Sequence, residues 1–450
     1  MGLFIVGAGH VGLVTAVGFA RLGHHVTVSD IDPERIRSLG LGRSPFYEPG
    51  LDDGLREAVE SGRLSYTHDP LPPPDAAVTF VCTATAPTSI ERLPMDSVEA
   101  VLDGLLVAAA PDHVVAVRST LPLHGVTRLR GILGAHAGPR PRVVVNPEFM
   151  REATALADFA RPSRVLVGWL EDEDRAAAVR VAELFAPLEA PTVVTDASSV
   201  AIAKLAANSF LAAKVTFANE VARICDALGA DATTVLGAVG MDPRIGSAFL
   251  APGPGVGGSC LPDQVAALAD DTRRRGIRLP LLQTIGEANE VHAEAIVERL
   301  GHELADEGGL IGNRICLLGL AFKSDTDDVS ASPALRLAAA LRRAGAWVTA
   351  YDPRVTAEII GLEAGVELAP DPGAAVAGTQ AVLITTEWPE FASLTWEQLA
   401  KRMRGDLVFD TRRIADPDAV GRAGLRYLAL GRADGLPVAA HEILVRASTG

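Results

Sequence analysis

The chain has 450 residues, 48% of them hydrophobic and 22% charged, enough to bury two or three cores and so to build two or three domains. A formal net charge of -15 argues against a general nucleic-acid binder, though not against a local basic pocket for phosphates. A strand begins by about Leu3, which leaves no room for a signal core, and no apolar run reads as long enough to span a bilayer; the expectation is a cytoplasmic protein with no membrane partner.

In chain order, residues 3–30 read as an apolar strand, a glycine turn, a helix with small side chains and a second strand ending at Asp30. Gly7 permits the tight turn, Gly9 lets the backbone approach a pyrophosphate, and Gly12 lets the helix pack on the strand. A bare GxGxxG is weak evidence, but Asp30 follows Gly12 by 18 residues, where an acid accepts hydrogen bonds from the adenosine ribose and favours NAD over NADP. His10, Val11 and Arg35 join the three glycines and Asp30 as expected cofactor-side residues. Apolar runs at 76–85, 113–120, 141–149 and 163–169 extend a mostly parallel sheet.

From 197 to 240 the pattern becomes a long alanine-rich helical stretch with no glycine or proline before Gly229, and helical periodicity resumes at 281–306. The third region repeats the first in outline: RICLLGLAFK (314–323), GAWVTAYDP (345–353) and AVLITTEW (381–388) stand where LFIVGAGHVG, GHHVTVSDIDP and AAVTFVCTAT stood. The repeat lacks GxGxxG, so it is not expected to hold a second NAD in the same manner, and another nucleotide is the natural occupant. The expected fold is α/β: two Rossmann-like doubly wound parallel-sheet domains, 1–196 and 308–450, joined by a long central helix and a small helical domain at 197–307.

Between these halves, GPGVGGSCLPDQ (253–264) places Cys260 in a glycine-rich loop just before a helix-like stretch. A nicotinamide accepts hydride but cannot alone turn an alcohol into an acid, because the intermediate aldehyde must first become an adduct with a hydride to give; a thiolate supplies it as a thiohemiacetal. Cys82, Cys225 and Cys316 sit in apolar strand or helix contexts and read as core. With no CxxC pair, the four predict neither a disulfide framework nor a metal site. Lys204 and Asn208 lie four apart, so they share one helix face in an otherwise alanine-rich stretch.

The ordered motifs GAGHVG, FYEPGL (46–51), RSTLP (118–122), NPEFMREATA (146–155), KLAANSFLA (204–212), DPRIGSAFL (242–250), GVGGSC (255–260), GLAFKSDTDD (319–328) and FDTRR (409–413) resemble the UDP-glucose/GDP-mannose dehydrogenases over nearly the whole chain. The resemblance implies oxidation of a nucleotide sugar at C6 to the carboxylate with two NAD consumed. Cys260 is then the nucleophile, and Lys204 and Asn208 stabilise the oxyanions of tetrahedral intermediates. Glu148 becomes a general base or water partner, Glu152 lies near cofactor and substrate phosphates, and Thr120 and Thr83 lie on the cofactor side. Family substrate positions fall on Phe149, Met150, Phe249, Leu250, Gly257, Phe322, Lys323 and Arg412, along with Glu148, Glu152, Lys204 and Asn208. Arg244 matches an arginine that reaches the neighbouring subunit's substrate, which implies a homodimer.

The resemblance breaks at the chemistry: the family's SCxPKD here reads SCLPDQ, with Asp263 for the lysine and Gln264 for the aspartate. A glutamine orients water but cannot take its proton at neutral pH. Ser330 replaces a common arginine and Ala84 a frequent proline. Three readings follow: a 6-dehydrogenase with a rearranged water-activating group, preferred here for a UDP-hexose; an oxidoreductase that stops at the aldehyde or acts on another nucleotide-linked sugar or nucleoside; and a non-catalytic paralogue that binds NAD and sugar nucleotide.

Overall fold

The structure, a computed structural model, describes residues 1–84, 93–361 and 365–432, so the end of the expected third domain, 433–450, lies outside the described residues. The chain divides into two compact units, one built from 1–209 and 263–283, the other from 210–262 and the chain from 284 onward.

The first unit is an eight-stranded sheet of β1 (Gly2–Val6), β2 (His25–Ser29), β3 (Leu64–Thr67), β4 (Ala76–Val81), β5 (Val114–Val117), β6 (Arg142–Val145), β7 (Val165–Trp169) and β8 (Thr192–Asp196). Its order is β3-β2-β1-β4-β5-β6-β7-β8. The first six strands follow the dinucleotide-binding order, with the switch of direction between β1 and β4. Pairing is parallel except between β6 and β7, which run antiparallel over Val144↔Trp169 and Val145↔Gly168. Central strands such as Val114–Val117 are apolar throughout because helices cover both faces of a parallel sheet. Phe19, on the helix His10–Arg21, contacts the rings of Phe80, Phe159 and Phe185 at one end of this core.

The second unit holds β9 (Arg314–Leu318), β10 (Trp347–Tyr351), β11 (Glu367–Leu368), β12 (Ala381–Ile384), β13 (Leu407–Asp410) and β14 (Arg426–Ala429) in the order β11-β10-β9-β12-β13-β14. This is the order of the first six strands again, and all its pairs are parallel. The internal repeat extends to single residues. Gly7 follows β1 with φ 105° and Gly319 follows β9 with φ 102°. A Cβ would lie 2.6 Å from the Cys82 carbonyl at the first and 2.3 Å from Thr386 Cβ at the second, so neither turn admits a side chain.

The alanine-rich stretch folds as one helix, Ala197–Leu228, followed by a shorter one at Ala232–Gly240; the division between the units falls within the long helix. By length and composition alone this helix is long and apolar enough to cross a membrane, a correction to the sequence reading. Its many alanines raise the mean hydropathy without forming the bulky apolar run that the eye finds in a sequence. Helices Leu261–Arg274 and Pro280–Glu303 complete the part of the chain that flanks Cys260.

Candidate active site

The glycine fingerprint makes the turn its spacing predicts. Gly9 caps the helix His10–Arg21 with no side-chain cap, leaving first-turn amides for a ligand. A Cβ at Gly12 would lie 1.9 Å from the Gly7 carbonyl, whereas one at Gly9 would meet nothing within 4 Å: the first glycine is needed for packing, and space is open at the second. Asp30, buried just beyond β2, accepts the Ala8 amide at 2.8 Å and pairs with Arg35 at 3.1 Å. Thr83 Oγ1 is buried with no hydrogen-bond partner among the described residues, as a hydroxyl kept for a ligand would be. These features fit NAD, with Val11 in the first helical turn and Thr120 just past β5.

Repeated topology with different chemistry distinguishes the other half. Asp352, just past β10 as Asp30 is past β2, accepts from the Leu320 amide at 2.7 Å, the Ala321 amide at 3.0 Å and the Trp388 indole at 3.1 Å. Asp30 likewise accepts the Asp32 amide at 2.9 Å besides Ala8 and Arg35, so the two turns share an aspartate held by amides and differ in the indole at the second.

Beside the cofactor cradle, the loop after β6 carries Glu148. Lys204 Nζ donates to the Glu148 carbonyl at 2.6 Å and to its Oε1 at 3.1 Å, both residues being buried. Burial alone would raise the Glu148 carboxyl, but the charges of Lys204 and Arg118, with hydrogen bonds from the Met150 amide and Lys204, hold it below its ordinary range. It is therefore a paired carboxylate. The Phe149 ring lies under two cations, Lys204 Nζ at 4.9 Å and the Arg164 guanidinium at 3.7 Å. One turn beyond Lys204, Asn208 Nδ2 donates to Gln264 Oε1 at 2.8 Å, both side chains again buried. The residue that departs from the family pattern is thus engaged with a predicted oxyanion donor. Glu152 lies four residues beyond Glu148 on the same loop, half-buried.

Three buried residues that the sequence did not single out hold these loops together. Glu48 accepts His10 Nε2 at 2.8 Å and the Ala153 and Ala155 amides at 2.8 and 2.9 Å, tying the glycine fingerprint to the 148–155 loop, where Ala153 has φ 65°. Burial lowers the His10 pKa, but the hydrogen bond to Glu48 and the charges of Glu152, Glu48 and Glu148 outweigh it and the result is raised. Arg118, buried, reaches Thr15 Oγ1 at 3.0 Å and Asn146 Oδ1 at 2.7 Å, and Asn146 in turn donates to the Leu166 carbonyl at 2.8 Å. FYEPGL, RSTLP and NPEF contain these residues. What the sequence lacks is any sign that their charges and amides are buried.

In the second unit, Cys260 is the exposed cysteine, at the entrance to the helix Leu261–Arg274; Cys82, Cys225 and Cys316 are buried, and burial pushes the Cys82 thiol up to about 12. Three glycines before Cys260 lie close against neighbours. A Cβ at Gly255 would lie 2.6 Å from Asn289 Oδ1, at Gly257 2.5 Å from Pro333, and at Gly258, which has φ 87°, 2.9 Å from the Phe322 ring. The Gly258 amide donates to the Ser330 carbonyl at 3.0 Å. Arg412 donates to the Phe322 carbonyl at 3.1 Å and pairs with Glu387 at 3.0 Å, with its Nη1 where a Gly253 Cβ would meet it at 3.0 Å. The loop, Phe322 and Arg412 therefore lie together, with Lys323 Nζ 5.7 Å from the Phe322 ring. Upstream, Phe249 takes φ 64° and Leu250 is buried. Arg244 stands apart, exposed and paired with Asp242 at 2.6 Å.

Three family models describe the chain: the NAD binding domain of the UDP-glucose/GDP-mannose dehydrogenase family over 1–189, its central domain over 198–291 and its UDP binding domain over 316–417. The chain is 37% identical to a UDP-glucose 6-dehydrogenase of Rhizobium meliloti (strain 1021), covering 96% of this chain and 100% of that one. It is 35% identical to a UDP-glucose 6-dehydrogenase of Bacillus subtilis (strain 168), covering 95% and 92%. Among solved structures, a UDP-glucose dehydrogenase from Pyrobaculum islandicum matches with a TM-score of 0.84 at 33% identity over 96% of this chain and 98% of that one. A UDP-D-ManNAc dehydrogenase from Pyrococcus horikoshii matches with 0.82 at 26% identity over 96% and 99%. With both Rossmann-type sheets, the NAD cradle and a nucleotide-binding second half in place, the chain belongs to the UDP-glucose/GDP-mannose dehydrogenase family and is an NAD-dependent nucleotide-sugar dehydrogenase.

Proposed function

We propose that the protein oxidises C6 of a UDP-hexose to the uronic acid through a thiohemiacetal and a thioester on Cys260. The observation that carries this reading is Cys260 itself: the exposed thiol of the four cysteines, at a helix start, behind a loop whose Gly257 and Gly258 lie close against Pro333 and Phe322. The choice of a UDP-hexose rests on relatives named UDP-glucose 6-dehydrogenase. NAD, when bound, accepts the hydride of each of the two oxidations.

The protein's own groups then have separable tasks. The C6 alcohol loses a proton and a hydride to become an aldehyde. The Cys260 sulfur adds to that carbonyl carbon, and the Lys204 ammonium and Asn208 amide stabilise the resulting oxyanion. Loss of a second hydride leaves a thioester; attack by one water on its carbonyl carbon breaks the C–S bond, giving the carboxylate and restoring the thiol. Glu148 and Gln264 orient that water, Glu148 as a carboxylate balanced by Lys204 and Gln264 as an amide already aligned by Asn208. Phe322, Lys323, Arg412 and the 249–257 segment hold the nucleotide sugar, Phe149, Met150 and Glu152 are further substrate residues, and Glu152, Thr83 and Thr120 serve the cofactor. A homodimer, with Arg244 reaching the partner's site, completes the reading; Phe210, Phe217, Ile224 and Leu228 form an exposed apolar stripe along one face of the long helix, as a self-association surface requires.

The test is the NADH formed per sugar consumed with a panel of UDP- and GDP-sugars. Two NADH and a uronic acid from a UDP-hexose support the proposal. One NADH with free aldehyde would establish the alternative in which the Gln264 site cannot hydrolyse, and binding of both ligands without turnover would establish a non-catalytic paralogue.

A further inference from the structure

The backbone of the loop before Cys260 is held by side chains that no motif of the sequence singles out. Asn219, on the long helix, accepts the Gly253 amide on Oδ1 at 2.9 Å. His292, on the helix Pro280–Glu303, meets the Gly253 carbonyl with Nε2 at 2.8 Å. One turn earlier, Asn289 accepts the Val256 amide on Oδ1 at 2.8 Å and returns its Nδ2 to the Val256 carbonyl at 3.0 Å. Thus both backbone groups of Gly253 and both of Val256 are satisfied by three side chains, exposed by only 3%, 2% and 7%. Buried backbone groups are ordinarily paired; what sets this loop apart is that its partners at two points are side chains carried by helices.

We propose that Asn219, Asn289 and His292 are positioning residues that set the backbone of the 253–260 loop for the nucleotide sugar and for Cys260, with His292 acting as the neutral Nε2–H tautomer. The inference rests on the reading of Cys260 and its loop given above. A carbonyl only accepts, so Nε2 must carry the proton, and Nδ1 is left as a bare lone pair. That atom is buried with no hydrogen-bond partner among the described residues, beside a hollow also lined by Thr216, Glu220 and Arg223. Burial, reinforced by the Arg223 charge, depresses the His292 pKa to about 4. The same loop packs closely on its neighbours, Gly255 against Asn289, Gly257 against Pro333 and Gly258 against Phe322.

Two polar replacements separate donor placement from mere volume. A glutamine amide reaches the place of the imidazole Nε2, whereas an asparagine amide reaches only that of Nδ1. H292Q is expected to keep near wild-type kinetics. H292N is expected to raise KM for the nucleotide sugar and lower kcat, for a combined loss of about 10- to 100-fold in kcat/KM, and to slow alkylation of Cys260 by iodoacetamide, with the Kd for NADH unchanged. Wild-type kinetics in H292N, or equal losses in both variants in step with their thermal midpoints, would overturn the proposal. Should H292N fail to fold, N219A, which removes the acceptor for the Gly253 amide, is judged by the same measurements. C260S assayed alongside separates the two readings. If it still yields two NADH per sugar, the cysteine assignment fails, and the clamp is then decided by the Kd of H292N for the nucleotide sugar.

Discussion

Lys204 is buried against Glu148, and removing one member of such a pair leaves a charge with neither water nor partner. K204M is expected to lower kcat by about 100-fold or more through loss of oxyanion stabilisation and to lower unfolding free energy by about 3–5 kcal/mol. The double variant K204M/E148Q is expected to recover most of the stability and none of the activity, as read by urea melts and initial rates. At position 264, Q264D restores a carboxylate beside Asn208, so the rate of acid release in a single turnover is expected to rise while NAD affinity stays the same; an unchanged rate would remove Gln264 from the hydrolytic step. The pairing of Lys204 and Asn208 on one face was legible from a spacing of four. Their partners were not, because Glu148 and Gln264 each lie 56 residues from them in sequence and are brought there by the fold.

At the scale of elements, the glycines decide which backbones can approach. G12A would drive a methyl into the Gly7 carbonyl, so the helix must lift from β1 and the amides proposed to receive the pyrophosphate move with it. NADH binding measured by fluorescence is expected to weaken by about 100-fold, or some 2.7 kcal/mol, with nucleotide-sugar binding retained. The fingerprint and the repeat of the first half in the second were legible, since each is a local pattern of glycine and apolar alternation. The antiparallel contact of β6 with β7 was not: strand direction depends on which distant segment supplies the hydrogen bonds, and a short apolar run carries no mark of its partner.

Across the whole molecule, stability and assembly both bear on function. The folded-state pKa of His292 lies at about 4 against an ordinary 6.5, so the neutral form belongs to the native state. Its stabilisation is present above pH 6.5 and is lost as pH falls from 6.5 through 4, amounting to about 3 kcal/mol. Glu220 and Arg223, which line the same hollow, set its surroundings along with Asn289. Over that interval the wild-type thermal midpoint is expected to fall more steeply than that of H292Q, which carries no titrating ring. For the proposed dimer, F217D is expected to sediment as a monomer. Mixing R244A with C260S protomers tests the shared site directly: neither homodimer turns over, and random mixing restores roughly a quarter of wild-type activity if Arg244 serves the partner. No restoration would place Arg244 outside the partner's site.

The sequence by itself determined the two α/β halves, the NAD fingerprint, the cysteine loop and the family, because each is written in residues close together along the chain. Only the tertiary structure decided which charges are buried and which groups answer them: Glu148 for Lys204, Gln264 for Asn208, Glu48 for His10, and the Trp388 indole for Asp352. Burial depends on every other element of the fold, and a local pattern of residues does not contain it.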